Sequence, residues 1–295
     1  MPIIHQNELQ LMAPSNLSAS QHTQIQDKLL AWFSKNARLL PWRHSYDPYH
    51  VWLSEVMLQQ TQMDRVIHYF NTWVNRFPSL ESVAKADENE LLKLWEGLGY
   101  YSRVRNFQKA AQRVCCNGGT VPSSFTDLIT LPGIGKYTAG AILSIAFQKN
   151  YPVVDGNVER VFARMFAIET PIKSSEGQKR VWALAEALLP EGKSRQWNQA
   201  LMELGALVCK KSKPDCQLCP LGKQCQAHLS GTTSLHPVAG KSMTTIAISF
   251  VAAVIVHQKM IYIQKRLADA TWGNLWEFPG GHLEINETPD QGALR

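Results

Sequence analysis

Apolar residues recur at intervals of three and four from Gln24 to Leu207, and Pro, Gly and Asn interrupt this pattern at intervals. Such spacing is typical of helices that bury one face, so it predicts an all-α region. One helix is expected directly after the loop "VVDGN", where apolar residues share a single helical stripe. The stripe consists of Val158, Val161, Phe162, Met165 and Phe166.

The periodicity changes from helix to strand towards the C-terminus. The segments "TTIAISFVAAVIVH" and "MIYIQKR" predict two β-strands joined by a short turn at Gln258, and "LWEFPGGHLEINETPDQGALR" predicts a strand, a loop and a helix. Between the two patterns, Ser, Thr, Gly and Pro are frequent and no periodicity is present, which is typical of a linker. The expected parts are a flexible tail (1–23), a helical domain (24–228), a linker (229–243) and a partial α/β domain (244–295).

Composition and charge narrow the class of protein. The chain has 295 residues, 45% of them hydrophobic and 18% charged, as expected of a two-domain globular protein. No segment approaches the roughly 18 apolar residues of a membrane span, and the N-terminus lacks a signal-peptide pattern, so we expect a cytoplasmic protein. A net charge of +6 favours a polyanionic partner, although an excess of this size also occurs in proteins that bind no nucleic acid.

Four of the six cysteines are clustered, with the spacing Cys209-x6-Cys216-x2-Cys219-x5-Cys225. Structural disulfides are rare in the cytosol, so the cluster indicates metal binding or redox chemistry. Zinc and iron–sulfur centres both accept four thiolates, but zinc sites more often pair two C-x2-C motifs. The single C-x2-C pair and the uneven spacing favour a [4Fe–4S] cluster. Buried structural cysteines are the alternative, which the polar, Lys-rich surroundings disfavour.

The stretch "LPGIGKYTAG" predicts a tight turn at the start of a helix. Gly133 and Gly135 allow backbone N–H groups near the helix N-terminus to face outward, where they can bind an anion. The spacing differs from that of nucleotide-binding loops. A helix-hairpin-helix, with Phe125–Ile129 as first helix and a second helix from Tyr137, would bind a nucleic-acid backbone without reading its sequence. A helix–turn–helix packing element is the alternative.

Two carboxylates stand at positions that suit catalysis. Glu55 emerges from an apolar helix face, where desolvation would raise its pKa and keep it protonated as a general acid; a helix salt bridge is the alternative. Asp155 precedes a helix, where it would be a simple N-cap or an ionised group that stabilises a developing cation. One protonated and one ionised carboxyl group together suit the cleavage of a glycosidic bond.

Several motifs resemble the adenine DNA glycosylase (MutY) family of the helix-hairpin-helix glycosylase superfamily. The resemblance covers about residues 25 to 228 and rests on "LPWR", "WLSEVMLQQTQ", "WEGLGYYSRVRNF", "LPGIGKYTAGAILS", "VVDGNVERV", "NQALMELGALVC" and the four-cysteine spacing. It implies a mostly α fold of two helical lobes with a [4Fe–4S] loop. It further implies a monomer that excises adenine opposite 8-oxoguanine or guanine from double-stranded DNA in base excision repair. The base must be flipped out, because a stacked base does not present its glycosidic bond.

The resemblance also implies roles for individual residues. Glu55 would protonate adenine N7 and help to activate water, and Asp155 would stabilise the oxocarbenium ion electrostatically or through a transient covalent adduct. Asn157 would orient Asp155, and the four cysteines would hold the cluster. Other contacts would come from Tyr137 at the reacting nucleotide, from Arg43, Glu203 and Trp42 in the adenine pocket (a core position is the alternative for Trp42), from Gln60 and Tyr100 beside 8-oxoguanine, and from Gly133, Gly135 and Lys136 at the DNA backbone.

Tyr137 separates two related activities. Glycosylases of the endonuclease III type carry a lysine at this position, which attacks the sugar and enables strand cleavage. A phenol forms no Schiff base, and the adjacent Lys136 points about 100° away on the helix. The resemblance therefore implies a monofunctional glycosylase, with an endonuclease III-like lyase and a non-catalytic DNA-binding module as alternatives.

The C-terminal segment resembles the 8-oxoguanine-reading domain of the family, which is related to Nudix hydrolases. It retains the start of the Nudix signature, Gly281-x5-Glu287-x7-Arg295. The acidic residues that would bind magnesium lie beyond Arg295, so we expect no nucleotide hydrolysis by this chain and at best partial recognition of 8-oxoguanine.

Overall fold

The computed structural model describes residues 17–240, 247–267, 269–270 and 273–295. The chain divides into two compact units, with the boundary between Gly240 and Lys241. The first unit is helical, as the periodicity predicts. Its helices are α1 (Ala19–Asn36), α2 (Pro48–Leu58), α3 (Met63–Arg76), α4 (Leu80–Lys85), α5 (Glu88–Trp95), α6 (Ser102–Cys116), α7 (Phe125–Leu128), α8 (Lys136–Ala141), α9 (Gly156–Met165), α10 (Ser175–Ala187), α11 (Ser194–Leu207) and α12 (Gln226–Leu229).

Helix α1 begins inside the segment predicted as a tail. Ser18 and Gln21 form a capping box, in which each side chain accepts a hydrogen bond from the backbone N–H of the other residue, and this stabilises the helix start. Its buried face consists of Ile25, Leu29 and Phe33, which are spaced four residues apart. The predicted boundary at residue 23 is therefore wrong, and residues 1–16 of the expected tail lie outside the described residues.

Two hydrophobic cores divide the helical unit into two lobes. The first lobe contains α2 to α8, and its core includes the fully buried side chains of Trp52, Trp73 and Trp95. The second lobe contains α9 to α12 together with α1, which packs against α11. The expected two-lobed, mostly α fold is confirmed. Within the described residues, no helix is both long and apolar enough to cross a membrane.

Two glycines allow two helices to approach α9 closely: one packs on the segment before α9, and the other packs on its first turn. A Cβ atom on Gly140 of α8 would lie 2.7 Å from the carbonyl oxygen of Pro152, and one on Gly205 of α11 would lie 2.5 Å from Cβ of Asn157. Real Cβ atoms do not approach other atoms this closely, so both positions require glycine. The start of α9 is thereby held against a helix of each lobe. The predicted apolar stripe of α9 is buried, except for the half-buried Phe166 beyond its end.

Part of the segment predicted as a linker packs on the second lobe. Nε of Arg164 donates hydrogen bonds to the carbonyl oxygens of Thr233 (3.1 Å) and His236 (3.0 Å). The buried His236 also contacts the carbonyl oxygen of Ile168 through Nδ1 at 3.0 Å. The absence of periodicity therefore indicates irregular structure here, and this stretch belongs to the helical unit.

The second unit contains short antiparallel strand pairs: β1 (Phe250–Ala252) with β6 (Gly280–His282), β2 (Val256–His257) with β3 (Met260–Ile261), and β4 (Gln264–Lys265) with β5 (Trp276–Glu277); α13 (Pro289–Leu294) follows. The predicted turn at Gln258 is present, with a positive φ of 48°. The two long predicted strands are wrong, because each divides between two partners. Residues 244–246 of the first lie outside the described residues.

Candidate active site

A cavity of about 650 Å³ opens between the two lobes. Its volume is in the usual range of a ligand-binding site. Its wall includes residues from α2, α8 and α11, from the start of α9, and from the segments directly before and after α2. It brings together eight of the residues predicted for the site: Trp42, Arg43, Glu55, Gln60, Tyr137, Asp155, Asn157 and Glu203.

Glu55 lies on α2 with only 3% of its surface exposed. The pKa of this carboxyl group is raised to about 7, chiefly by burial and also by the charge of Asp155, while the hydrogen bond from Tyr137 and the charge of Arg43 oppose the shift. The expected raised pKa is thus present. Glu55 makes no helix salt bridge among the ion pairs of the described residues, so it suits a proton donor near neutral pH.

Tyr137 lies in the first turn of α8, after the N-cap Gly135. Its phenolic hydroxyl donates a hydrogen bond to Oε2 of Glu55. Burial, together with the charges of Glu55 and Asp155, raises the pKa of the phenol well above its usual value. The hydroxyl therefore stays protonated and acts as a hydrogen-bond donor.

Asp155 is the N-cap of α9. Its Oδ1 accepts hydrogen bonds from the backbone N–H groups of Asn157 (2.9 Å) and Val158 (2.8 Å), and Oδ2 accepts one from the Asn157 amide at 2.7 Å. Burial raises its pKa, and these hydrogen bonds and the charge of Arg160 oppose that shift. The carboxyl group is therefore both a cap and part of the cavity wall. Its hydrogen bonds and the charge of Arg160 stabilise the carboxylate and offset part of the upward pKa shift that burial causes.

Asn157 is itself held by a longer chain of contacts. Its Oδ1 accepts a hydrogen bond from Arg160 at 2.8 Å, and Nε of Arg160 donates to the carbonyl oxygen of Cys209 at 2.7 Å. One turn later, the buried Arg164 donates to Sγ of Cys209 at 3.4 Å and to the carbonyl oxygens of Lys210 and Lys211. Helix α9 thus connects the cavity to the cysteine loop.

The four clustered cysteines line one small second cavity: Cys209, Cys216, Cys219 and Cys225. In the part of the chain that the structure describes, no three His, Cys, Asp or Glu side chains are close enough to hold a single metal ion. Cys115 and Cys116 lie elsewhere, at the end of α6.

Glu203 forms a buried ion-pair network at the cavity wall. Its carboxylate accepts hydrogen bonds from Nε of Arg38 at 2.7 Å and from Arg43 at 3.1 Å, and only 1% of its side chain is exposed. Burial opposes ionisation, but the two guanidinium groups outweigh it and lower the pKa of Glu203. Trp42 was expected either in the adenine pocket or in the core. It lies in both, since it packs on Phe70 in the core and also lines the cavity.

Four predicted DNA-contacting residues lie outside this cavity. Tyr100 is 62% exposed, in the loop between α5 and α6. Gly133 has a φ of +78°, which only glycine adopts without strain, and Gly135 begins α8 without a side-chain cap. Helix α7 precedes them, so the expected hairpin of two helices is present. The ammonium group of Lys136 lies 3.7 Å from the ring centre of Trp182, on the outside of α8.

Several arginines at or near the cavity were not predicted from the sequence. Arg38 lines the cavity and binds Glu203, and its only signal is its place three residues before the "PWR" motif. Arg160 and Arg164 follow the Asp155 loop at one-turn spacing, which orients both on the same helix face. Both also contact Cys209, which lies 49 residues after Arg160 and 45 residues after Arg164, so no local pattern indicates these contacts.

Comparisons with known proteins agree with this geometry. Residues 53–187 match the family described as HhH-GPD superfamily base excision DNA repair protein, and residues 247–295 match the NUDIX domain family. The adenine DNA glycosylase of Buchnera aphidicola subsp. Acyrthosiphon pisum (strain APS) is 36% identical over 253 residues, which are 85% of this chain and 72% of that protein.

Two further comparisons concern the helical unit. The adenine DNA glycosylase of Homo sapiens is 43% identical over 215 residues, which are 70% of this chain and 39% of that protein. A solved structure of a thermostable thymine-DNA glycosylase is similar with a TM-score of 0.66 and 30% identity, over 72% of this chain and 98% of that one.

Proposed function

Because the chain belongs to the adenine DNA glycosylase family, we propose that it excises adenine from duplex DNA by hydrolysing the N-glycosidic bond, as a step of base excision repair. The observation that carries the proposal is the convergence of Glu55, Tyr137 and Asp155 on one cavity between the lobes. Two carboxyl groups with different surroundings are what glycosidic cleavage requires.

Glu55 supplies the proton in this mechanism. With a pKa near 7 it is protonated in much of the population at neutral pH. Transfer of this proton to N7 of adenine makes the base a neutral leaving group, and the resulting carboxylate then helps to activate water. The Tyr137 hydroxyl holds Oε2, so the carboxyl group keeps one orientation while the reacting nucleotide is bound.

Asp155 stabilises the sugar. Its carboxylate is fixed by the amide and backbone of Asn157, and it faces the cavity where the oxocarbenium ion develops. A negative charge held in a buried site stabilises such a cation without reorganisation. Both electrostatic stabilisation and a transient covalent adduct are compatible with this placement.

The opposite wall of the cavity recognises the base. Nε of Arg43 is buried and has no hydrogen-bond partner among the described residues. An unpaired buried donor is unfavourable, and a ring nitrogen of adenine would satisfy it. Glu203 keeps Arg43 in place, and Trp42 supplies an apolar surface beside the base.

We propose that DNA is held at three further places. The turn containing Gly133 and Gly135 presents backbone N–H groups to a strand phosphate without reading sequence, with Lys136 adding positive charge nearby. Gln60 and Tyr100 fill the stack beside the base opposite adenine, which is 8-oxoguanine or guanine. The second unit matches the NUDIX family and would contribute to the recognition of 8-oxoguanine.

The cysteine loop fits a [4Fe–4S] cluster. All four thiols line the same cavity, and the guanidinium group of Arg164 lies beside Cys209. Cys209, Cys216, Cys219 and Cys225 would hold the cluster, since a [4Fe–4S] cluster takes four cysteine thiolates. When bound, the cluster would shape the Lys-rich loop around it. We further propose that the protein acts as a monomer in the cytoplasm.

The proposal is tested with a duplex that contains one adenine opposite 8-oxoguanine. Strand breaks that form only after alkali treatment support a monofunctional glycosylase, because alkali cleaves the abasic site. Breaks without alkali would indicate a lyase, and the absence of any product would indicate a DNA-binding module. A duplex with adenine opposite thymine is the control, and absorbance near 400 nm reports the iron–sulfur cluster.

A further inference from the structure

We propose that Arg103 is the positioning residue for Gln60 and Tyr100, which it holds as one rigid wedge at the edge of the cavity. The inference rests on the proposed function, because it assigns the wedge to the DNA stack beside the mispair. It concerns a residue of α6 that lies outside the cavity wall.

The guanidinium group of Arg103 joins two separate loops. One nitrogen, Nη1, donates hydrogen bonds to carbonyl oxygens at the end of α2, namely Val56 (2.7 Å), Met57 (3.2 Å) and Gln59 (2.8 Å). The other, Nη2, donates to Leu98 (2.8 Å) and Gly99 (3.1 Å) in the loop before α6. Each set of carbonyls directly precedes one of the two wedge residues.

Both wedge residues have unfavourable backbone conformations. The φ angle is +58° at Gln60 and +46° at Tyr100, a region that residues other than glycine rarely adopt. Such strain persists only where the surrounding structure enforces it, and it is common at functional sites. Gln60 and Tyr100 are also exposed, so their own burial does not explain why the chain keeps these conformations.

Other contacts make the loop before α6 rigid. The indole N–H of Trp95 donates to the carbonyl oxygen of Gly99 at 3.1 Å, and Tyr69 donates to that of Glu96 at 2.7 Å. The Arg103 guanidinium also lies 5.4 Å from the ring centre of Trp95 and 5.7 Å from that of Tyr100. The exposed phenol ring is thus supported from beneath by a cation, which prefers a ring face.

A guanidinium group is required for this arrangement. It presents five N–H donors in a planar fork, whereas a lysine ammonium is a single point with three donors. Lysine at position 103 keeps the charge but does not reach both sets of carbonyls together. Arg105 provides a matched control two residues later on α6, because its guanidinium group forms an ion pair with Glu88 at 2.8 Å. Among the described residues, its side chain donates no hydrogen bond to the loop of Gln60 or to that of Tyr100.

The test is a double-mutant cycle on excision under single-turnover conditions. The variants are Arg103→Met, Arg103→Lys, Tyr100→Ala, the double variant Arg103→Met with Tyr100→Ala, and the control Arg105→Met. Misplacement of a contact residue by about 1 Å lowers a rate by up to about a hundredfold, so we expect Arg103→Met to lower excision opposite 8-oxoguanine by about tenfold or more. In the Tyr100→Ala background it should lower the rate little further, because the residue it positions is already absent.

A second measurement separates positioning from general stability. Loss of folded protein lowers excision opposite 8-oxoguanine and opposite guanine equally, whereas a loosened wedge lowers the ratio of the two rates. Arg103→Met and Arg103→Lys should both lower the ratio, and Arg105→Met should leave it unchanged. If Arg103→Met does not fold, the rate ratio of Arg103→Lys decides the test, since this variant keeps the charge and most of the aliphatic side chain.

Two results would overturn the inference. One is a cycle in which the Arg103 and Tyr100 effects simply add; the other is an unchanged ratio in a folded Arg103 variant. If the wild-type protein releases no adenine, the proposed function fails, and the wedge is tested instead by the fluorescence of 2-aminopurine beside the mispair on DNA binding. Arg103→Met should then lose the unstacking signal, and its full retention would also overturn the inference.

Discussion

Tyr137 donates a hydrogen bond to the carboxyl group of Glu55, although 82 residues separate the two positions in the chain. Tyr137 lies in the first turn of the second helix of the hairpin, and Glu55 lies on a buried helix of the first lobe. The element expected to hold the DNA backbone therefore also fixes the carboxyl group that we propose as the proton donor. A shift of α8 on the DNA would change the orientation of the acid directly.

The excision rate should fall as the pH rises through about 7. Glu55 donates its proton only in the protonated form, and burial raises its pKa to about 7. Glu55→Gln removes the proton and should lower the rate by about 10²–10⁴-fold, with duplex binding retained. The measurement is the single-turnover rate across neutral pH, with binding measured separately. A rate that stays constant through neutrality would contradict the assignment.

Stability should respond to Glu55 in the same pH interval. The folded-state pKa of about 7 exceeds the usual value of 4.5, so the folded protein holds this proton more tightly. The associated stability is fully present below about pH 4.5 and is lost as the pH rises through about 7. Glu55→Gln should therefore gain stability relative to wild type between these limits. Urea unfolding at both ends of this pH interval measures the difference. The control is Glu90→Gln, because Glu90 is a half-buried residue that forms an ion pair with Arg76 outside the cavity wall.

Asp155→Asn should separate the cap of α9 from its charge. Asparagine caps helices as well as aspartate does, so the thermal midpoint should change by only a few degrees. The charge that would stabilise the oxocarbenium ion is lost, and we expect excision to fall by about a hundredfold or more. Circular dichroism melting and product formation are compared in the same samples. A large loss of stability with partly retained excision would mean that Asp155 is mainly a structural cap.

Tyr137→Lys should introduce strand cleavage without alkali. The new amine would occupy the cavity beside Asp155 and form a Schiff base with the sugar, which borohydride traps as a covalent complex on denaturing gels. Tyr137→Phe is the matched control, since it removes the hydrogen bond to Glu55 without adding a nucleophile. It should slow excision and give no trapped complex. Trapping by wild type or Tyr137→Phe would instead implicate another amine, such as Lys136.

Gly133→Ala should weaken duplex binding regardless of sequence. The position has a φ of +78°, and an added Cβ would lie 3.0 Å from Cβ of Asn106, so the turn must distort. Gly119→Ala is the control, because its φ is +76° but no atom lies within 4 Å of the added Cβ. Both variants should lose about 1–2 kcal/mol of stability from backbone strain. Only Gly133→Ala should lose affinity, and equal affinities would exclude the turn from DNA binding.

The sequence predicted residues whose role has a local signal. Glu55 was indicated by apolar neighbours on one helix, Asp155 by its place before a helix, and the hairpin by two glycines beside a proline. Arg38, Arg103 and Arg160 gave no such signal, because each also binds a carboxylate or carbonyl group that is distant in the chain: Glu203, Val56 and Cys209, respectively. Hydrogen-bond partners of this kind depend on tertiary packing, which periodicity does not describe.

The second unit shows a different limit. A continuous apolar run predicted one long strand to His257, but β1 pairs with β6 while β2 pairs with β3. Strand propensity does not indicate where a chain changes its pairing partner. The turn at Gln258 was predictable, because a polar pair there separates two apolar runs.

The packing of α1 against α11 has a consequence for synthesis on the ribosome. The residues of the first lobe lie between these two helices in the chain, so that lobe leaves the ribosome complete while α1 still lacks its partner. Domains fold as they emerge, and the apolar side chains of Ile25, Leu29 and Phe33 must wait for more than a hundred residues to be added. The nascent chain would therefore expose the apolar face of α1, to which a chaperone could bind, until the second lobe, which contains Asp155, folds and buries this face.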